Sequence, residues 1–169
     1  MNRPQPDLNG MDRAPAMRWL ELRVPPLIVW GAFAGAMLGV ARLLPTLSFK
    51  VAGASACGLA LAVLGAAVAF AGVVAFRRAR TTVNPLTPSA AGTVVSGGAY
   101  RFTRNPMYLG FLVALAGWAT HLSNTPAALL LPAFVAYMTR FQIKPEERAL
   151  AAKFGPQFTQ YMSRVRRWV

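Results

Sequence analysis

Residues 51–76 read VAGASACGLALAVLGAAVAFAGVVAF, and Arg77 and Arg78 follow directly. The stretch contains no charged side chain, and small and branched apolar residues fill it from end to end. A helix rises about 1.5 Å per residue, so this stretch is long enough to cross the ~30 Å hydrocarbon core of a bilayer. It therefore predicts a transmembrane helix.

Three further apolar blocks surround this one, at residues 25–44, 107–122 and 126–141. Only Ser123, Asn124 and Thr125 separate the last two blocks, which favours a tight antiparallel hairpin. The fold class predicted is all-α, a polytopic membrane protein with four transmembrane helices and further C-terminal cytoplasmic or interfacial helices. We expect Pro145 to begin one of these, ending near Phe154, and an amphipathic helix after it to run to Trp168.

The charges support a membrane protein and argue against a nucleic-acid-binding protein. The chain of 169 residues has 18 Lys and Arg against 5 Asp and Glu, a net charge of +13. The basic residues cluster before Val24, between the second and third apolar blocks, and after Tyr137, with only Arg42 and Lys50 elsewhere. Such clustering follows the positive-inside rule and predicts that both termini are cytoplasmic.

The apolar blocks also suggest a division of the chain. We expect residues 1–24 to form a mobile cytoplasmic segment, residues 25–76 two packing transmembrane helices, and residues 77–169 the core that carries the chemistry. Small residues recur on one face of each of the first two helices, which permits close helix packing in membranes. They are Gly31, Gly35 and Gly39 in the first helix, and Gly58, Ala62, Gly65, Ala69 and Gly72 in the second.

Acidic residues are scarce, and this directs attention to one adjacent pair. After Glu21, the only acidic residues of the chain are Glu146 and Glu147, just beyond the fourth apolar block. Carboxylates in the first turn of a helix stabilise it by interacting with its dipole, so a purely structural role is one reading. A pair at the membrane edge of so basic a chain also suits a polar or cationic ligand.

A second candidate lies at the start of the third block, where residues 100–110 read YRFTRNPMYLG. Asn105 is a favourable N-cap residue and Pro106 a favourable first helical residue, so the pair predicts a helix start. Free N–H groups and the positive dipole end at such a start can bind an anion, and Arg104 would add its charge.

Half of the chain, from about Thr82 to Val169, resembles the isoprenylcysteine carboxyl methyltransferase and phospholipid methyltransferase family. The resemblance rests on residues 98–110, on Glu146–Leu150, and on Phe154-Gly155 followed by Tyr161 and residues 164–168. It implies an integral membrane enzyme that uses S-adenosylmethionine in a cytoplasmic pocket. Asn105 stands where the prenylcysteine enzymes usually have His, and this favours the phospholipid and bacterial branches.

The resemblance, together with the position of polar residues near the cytoplasmic ends of the spans, predicts a set of site residues and partners. The catalytic residues expected are Arg104, Tyr108 and Arg140. The cofactor-binding residues expected are Tyr100, Arg104, Asn105, Pro106, Tyr108, Leu109, Gly110, Glu146 and Glu147. No metal site is expected. The partners expected are a lipid or lipophilic acceptor and the bilayer itself, here the bacterial inner membrane, and the acceptor atom and oligomeric state stay open.

Two alternatives remain at this point, and one tempting residue is set aside. The chain also fits a non-catalytic membrane scaffold or subunit, or a membrane reductase similar to the sterol reductases. His121 is the only histidine. It falls at the outer end of the third block, about 20 Å or more from Asn105 at helical rise. We therefore expect no catalytic role for it.

Overall fold

The computed structural model describes residues 20–79 and 92–169, and within these ranges the chain is helical. The seven α-helices are α1 (Pro26–Leu43), α2 (Ala54–Arg78), α3 (Pro106–Leu122), α4 (Thr125–Ala128), α5 (Leu130–Met138), α6 (Lys144–Phe154) and α7 (Pro156–Arg164). Short 3-10 helices occupy Pro45–Leu47 and Gly98–Arg101. The predicted all-α class is confirmed.

Three helices are long and apolar enough to cross a membrane, and a fourth is shorter. The three are α1, α2 and the continuous helix Thr125–Phe154, and the 17-residue α3 is the shorter one. Leu59, Val63 and Phe70 on α2 are each more than 60% exposed. A surface this apolar is unfavourable in water and matches a lipid environment. These four helices correspond to the four predicted spans.

Close packing between α2 and α3 depends on glycines from both helices. A Cβ atom on Gly110 would lie only 2.4 Å from the carbonyl oxygen of Gly65, and one on Gly117 would lie 2.5 Å from that of Gly58. Backbones that approach this closely are typical of helix packing in membranes. The small-residue face predicted for the second helix is therefore its contact with α3.

Replacing Gly110 with Ala should destabilise the fold, because the added methyl group meets the backbone of α2. Overpacking of this kind costs about 1–3 kcal/mol. Gly35→Ala is the matched control, since a Cβ there has no neighbour within 4 Å. Thermal unfolding of both variants in detergent measures the difference. Equal melting temperatures would contradict the packing described here.

The small-residue face of α1 behaves differently from the prediction. Cβ atoms on Gly31, Gly35 and Gly39 would meet nothing within 4 Å among the described residues. The helix contacts α3 through tryptophans instead. The Trp30 Nε1 donates to the carbonyl of Phe111 (3.1 Å), and the Trp118 Nε1 donates to the carbonyl of Ala34 (3.0 Å). Large side chains hold these two backbones apart, so the glycines of α1 take no part in the contact.

At one end of the bundle, Asn124 joins the two connecting loops. Its Nδ2 donates to the carbonyl of Leu44 (3.0 Å) and to the Ser48 Oγ (2.9 Å), while its Oδ1 accepts the N–H of Ala127 as an N-cap. The α1–α2 loop and the α3–α4 turn are thereby held together. The sharp turn predicted at residues 123–125 is present, with Ser123 in the left-handed region at φ 46°.

Pro145 does not begin a separate helix, and this corrects the prediction. Residues Thr139–Ile143 form a π-helical turn, and α6 continues from it without a break. Proline lacks an N–H and its ring crowds the carbonyl one turn earlier. A wider turn directly before Pro145 accommodates both effects. The two glutamates are therefore fixed to the same rigid helix as α5.

Candidate functional site

A cavity lies at the end of the bundle opposite Asn124, where α3 begins. It lies between the 3-10 turn at Gly98–Arg101 and helices α3, α6 and α7. The described residues that line it are Phe76, Thr93, Val94, Val95, Tyr100, Arg104, Asn105, Met107, Tyr108, Glu146, Glu147, Leu150, Phe158 and Tyr161.

Tyr108 and Glu146 form the first polar contact of the cavity. Tyr108 lies in the first turn of α3 and is only 5% exposed, and its hydroxyl donates a hydrogen bond to the Glu146 Oε1. A carboxylate can accept several hydrogen bonds, so this contact leaves Glu146 able to accept more. This pair thus joins the start of α3 to α6.

Glu147 forms a second contact, between two arginines. It accepts two hydrogen bonds from Arg167, at 3.1 Å from the Nε and 2.6 Å from the Nη2. The Arg104 Nη2 lies 3.2 Å from the Glu147 Oε1. Paired contacts between arginine and carboxylate are among the strongest polar contacts in proteins. These three side chains, called here the arginine–glutamate cluster, join α3, α6 and the C-terminal segment.

One nitrogen of the arginine–glutamate cluster takes no part in its hydrogen bonds. The Nε of Arg104 is buried and has no hydrogen-bond partner within the part of the chain that the structure describes. A buried donor without a partner costs about 1–3 kcal/mol, and more when the group is charged. Arg104 is one of the residues that line the cavity, so a ligand acceptor that reached this nitrogen would remove the cost.

Asn105 occupies the N-cap position of α3, but its side chain does not cap the helix. Its Nδ2 donates to the carbonyl of Arg167 at 2.9 Å, and the Thr103 Oγ1 donates to the same carbonyl at 3.3 Å. The backbone N–H of Arg104 donates to the carbonyl of Arg166 (2.9 Å). The hydrogen bond to the Arg167 carbonyl therefore fixes the Asn105 side chain against the C-terminal segment.

Two tyrosines close the cavity from the side of the 3-10 turn and α7. The Tyr161 hydroxyl donates to the carbonyl of Tyr100 (2.8 Å), and the Tyr100 ring packs edge-on against Phe76. Burial raises the pKa of Tyr161 to about 12, although the nearby Arg104 lowers it, and burial with the charge of Glu146 raises the pKa of Tyr100. Both hydroxyls therefore stay protonated at neutral pH.

Of the predicted cofactor-binding residues, six line the cavity and three do not. The six are Tyr100, Arg104, Asn105, Tyr108, Glu146 and Glu147. Pro106, Leu109 and Gly110 are absent from the described lining. Pro106 lies against Gly72, and Gly110 lies against Gly65. Pro106 and Gly110 therefore face α2.

Arg140 was predicted to be catalytic, but the structure places it elsewhere. Its Nη1 lies 2.5 Å from the Glu21 Oε1, and Glu21 also accepts from Arg148. Arg140 is not among the described residues that line the cavity. The π turn that contains Arg140, together with the glutamate before α1, holds this guanidinium on the other side of the helix.

Several site residues were missed at the sequence level. Arg167 binds Glu147, and the hydrogen bond from the Trp168 Nε1 to the Thr139 Oγ1 (3.1 Å) holds the segment after α7 against the π turn. Trp168 therefore packs inward and does not end an interfacial helix, since α7 stops at Arg164. Residues 164–168 contribute to the family resemblance, but it assigns them no role, and topology alone explains the cluster of basic residues at 164–167.

His121 lies at the far end of α3 from the cavity. Its ring stacks on Trp118 with centroids 5.3 Å apart, and it lines a separate apolar groove between α1, α2 and α3. This placement is consistent with the expectation that His121 lies far from Asn105.

Comparison with known proteins gives the chain a family. A Haemophilus influenzae protein described as uncharacterized is 40% identical over 63 residues, 37% of this chain and 100% of that protein. Protein-S-isoprenylcysteine O-methyltransferase B of Arabidopsis thaliana is 30% identical over 111 residues, 64% of this chain and 55% of that protein. Methanethiol S-methyltransferase 1 of Bradyrhizobium diazoefficiens is 41% identical over 66 residues, 39% of this chain and 22% of that protein.

The chain therefore spans about half of the Arabidopsis protein and about a fifth of the Bradyrhizobium one. No solved structure gives a significant match. Residues 54–157 match the family described as phospholipid methyltransferase, which is more than half of the chain. With its apolar helices, the chain is an integral membrane protein and belongs to the phospholipid methyltransferase family.

Proposed function

We propose that the chain transfers methyl groups from S-adenosylmethionine to a lipid or lipophilic small molecule at the cytoplasmic face of the membrane. One observation carries the proposal: a single cavity contains both a carboxylate and a buried arginine whose Nε has no partner among the described residues. A ligand that matches both groups carries a negative charge and a positive charge at separate positions.

S-adenosylmethionine meets this requirement through its carboxylate, its ammonium group and its sulfonium centre. Two arginines and one glutamate leave the arginine–glutamate cluster with one net positive charge, which suits the carboxylate at Arg104. Glu146 suits the ammonium group or the ribose hydroxyls. The rings of Tyr100, Tyr108 and Tyr161 line the same cavity and attract a cation on their faces.

When bound, the cofactor would supply a methyl group on a positively charged sulfur: a lone pair of the acceptor would form the bond to the methyl carbon as the carbon–sulfur bond breaks in line, and the sulfur would leave as a neutral thioether. For such a reaction the protein mainly positions the two partners and excludes water. The rings of Tyr100, Tyr108 and Phe158 are buried and form a wall that would exclude water. Arg104 and Glu146 fix the two charged ends of the cofactor.

The proposed acceptor class follows from the apolar side of the cavity. Phe76, Met107 and Leu150 line it, and α2 and α3, which supply two of them, are apolar helices. The names of two relatives include isoprenylcysteine and methanethiol, with transfer to oxygen and to sulfur respectively. The proposal therefore specifies a lipophilic acceptor and not an acceptor atom.

Binding and transfer with the purified protein test this function. In detergent, calorimetry should show saturable binding of S-adenosylmethionine, and membranes with the labelled cofactor should yield a labelled product that extracts into organic solvent. Mass spectrometry of that product identifies the acceptor. A folded protein that binds no cofactor would exclude the proposal and favour a non-catalytic scaffold.

The cytoplasmic face rests on the distribution of basic residues and has its own test. Reporter fusions after Val169 should be active only in the cytoplasm, and fusions after Lys50 and Asn124 only outside it. The Asn124 contacts place the latter two loops at one end of the bundle. A cytoplasmic signal from either loop would reverse the proposed orientation.

A further inference from the structure

We infer that Arg167 is a positioning residue, which acts through Glu147 to hold the Arg104 guanidinium with its Nε free for the ligand. The inference rests on the proposed function, because the ligand of that nitrogen is taken to be the cofactor carboxylate. Arg167 does not line the cavity among the described residues. Any effect it has on the ligand therefore passes through its neighbours.

The geometry gives the order of these contacts. Arg167 donates hydrogen bonds to both oxygens of Glu147, and Arg104 contacts the same carboxylate with only its Nη2. An arginine that faced a carboxylate alone would tend to engage it through two nitrogens. Because Arg167 already takes the paired position, Arg104 contacts Glu147 from one side and keeps its Nε unbound.

The same residue also fixes the start of α3 through its main chain. The Arg167 carbonyl accepts from the Asn105 Nδ2 and the Thr103 Oγ1, on both sides of Arg104. The guanidinium of Arg104 is thus held by Glu147, and its backbone is held by the C-terminal segment. Loss of the Arg167 side chain would release Glu147 to pair with Arg104 through both oxygens and occupy the Nε.

Arg167→Gln tests this, with Arg166→Gln as the matched control. Arg166 carries the same charge one position earlier, and its side chain is exposed. We expect Arg167→Gln to raise the Kd for S-adenosylmethionine about tenfold, as loss of a charged contact does. Arg167→Lys should give a smaller loss, and Arg166→Gln a change below about twofold. The KM for the cofactor should follow the Kd, while kcat changes less.

A double variant separates positioning from a general loss of structure. If Arg167 acts through Arg104, then Arg104→Gln with Arg167→Gln should bind no worse than Arg104→Gln alone, because effects along one chain of contacts are not additive. Losses that multiply in the double variant, or an equal loss in Arg166→Gln, would overturn the inference.

A spectroscopic measurement decides the matter without any cofactor. In protein labelled with ¹⁵N-arginine, the Nε–H resonance of Arg104 should move in Arg167→Gln and Arg167→Lys and stay in place in Arg166→Gln. A wild-type protein that binds no S-adenosylmethionine would exclude the proposed function. An Arg104 resonance that ignores Arg167 would exclude this inference.

Discussion

Arg104→Gln should weaken binding of S-adenosylmethionine by about ten- to a hundredfold, the cost of losing one charged hydrogen bond. The variant removes the buried nitrogen that has no partner among the described residues, and it reduces the net charge of the arginine–glutamate cluster to zero. Calorimetry on the purified variant gives the affinity, and a methylation assay with the identified acceptor gives kcat/KM.

His121→Ala is the control for this experiment, because His121 stacks on Trp118 at the opposite end of α3. It should bind and turn over as the wild type does. If Arg104→Gln weakened cofactor binding by no more than about twofold, Arg104 would be only a structural partner of Glu147. Loss of activity in a folded His121→Ala with activity retained in Arg104→Gln would move the site to the other end of the bundle.

Glu146→Gln should weaken cofactor binding about as much as Arg104→Gln does. Here the lost contact is with a positively charged group of the cofactor. The amide keeps the shape of the side chain and can still accept from Tyr108, but unlike the carboxyl group it cannot ionise to pair with a bound cation. We expect a rise of about ten- to a hundredfold in the Kd for the cofactor. Tyr108→Phe should cost less, since it removes the hydroxyl and leaves the carboxylate and the ring in place.

The control for the second experiment is Glu21→Gln, which also removes one carboxylate but outside the cavity. Glu21 pairs with Arg140 and Arg148. Its variant should melt at a lower temperature with unchanged cofactor affinity. If Glu146→Gln and Glu21→Gln lose affinity equally, overall charge would explain the result and the local role of Glu146 would fail.

The sequence was sufficient for the four apolar helices and for part of the site. Long apolar blocks and clustered basic residues predict the spans because the bilayer imposes both patterns. The motif around Arg104 and the scarcity of acids predict the contact region between α3 and α6. These signals are local in the chain, and each reflects a single physical cause.

The remainder depends on contacts between distant residues. Arg140 is bound by Glu21, Asn105 is bound by the carbonyl of Arg167, and Glu147 is shared between two arginines. Nothing in the sequence ranks one basic residue above another as the partner of a given carboxylate. Asn105 likewise resembles an ordinary cap in the sequence, which does not show that the carbonyl of Arg167 orients its side chain.

The π turn at residues 139–143 changes which residues of the continuous helix Thr125–Phe154 lie on the same face. A π turn absorbs one residue more than an α-helix would use, and one residue corresponds to about 100° of rotation. Counting 3.6 residues per turn from Phe134 therefore assigns Glu146 to the wrong face. Length and direction are uncoupled at this point: a single-residue deletion there, which converts the π turn to an α turn, should leave α6 aimed as before. The same change within α5 would swing both carboxylates away from α3 by about 100°.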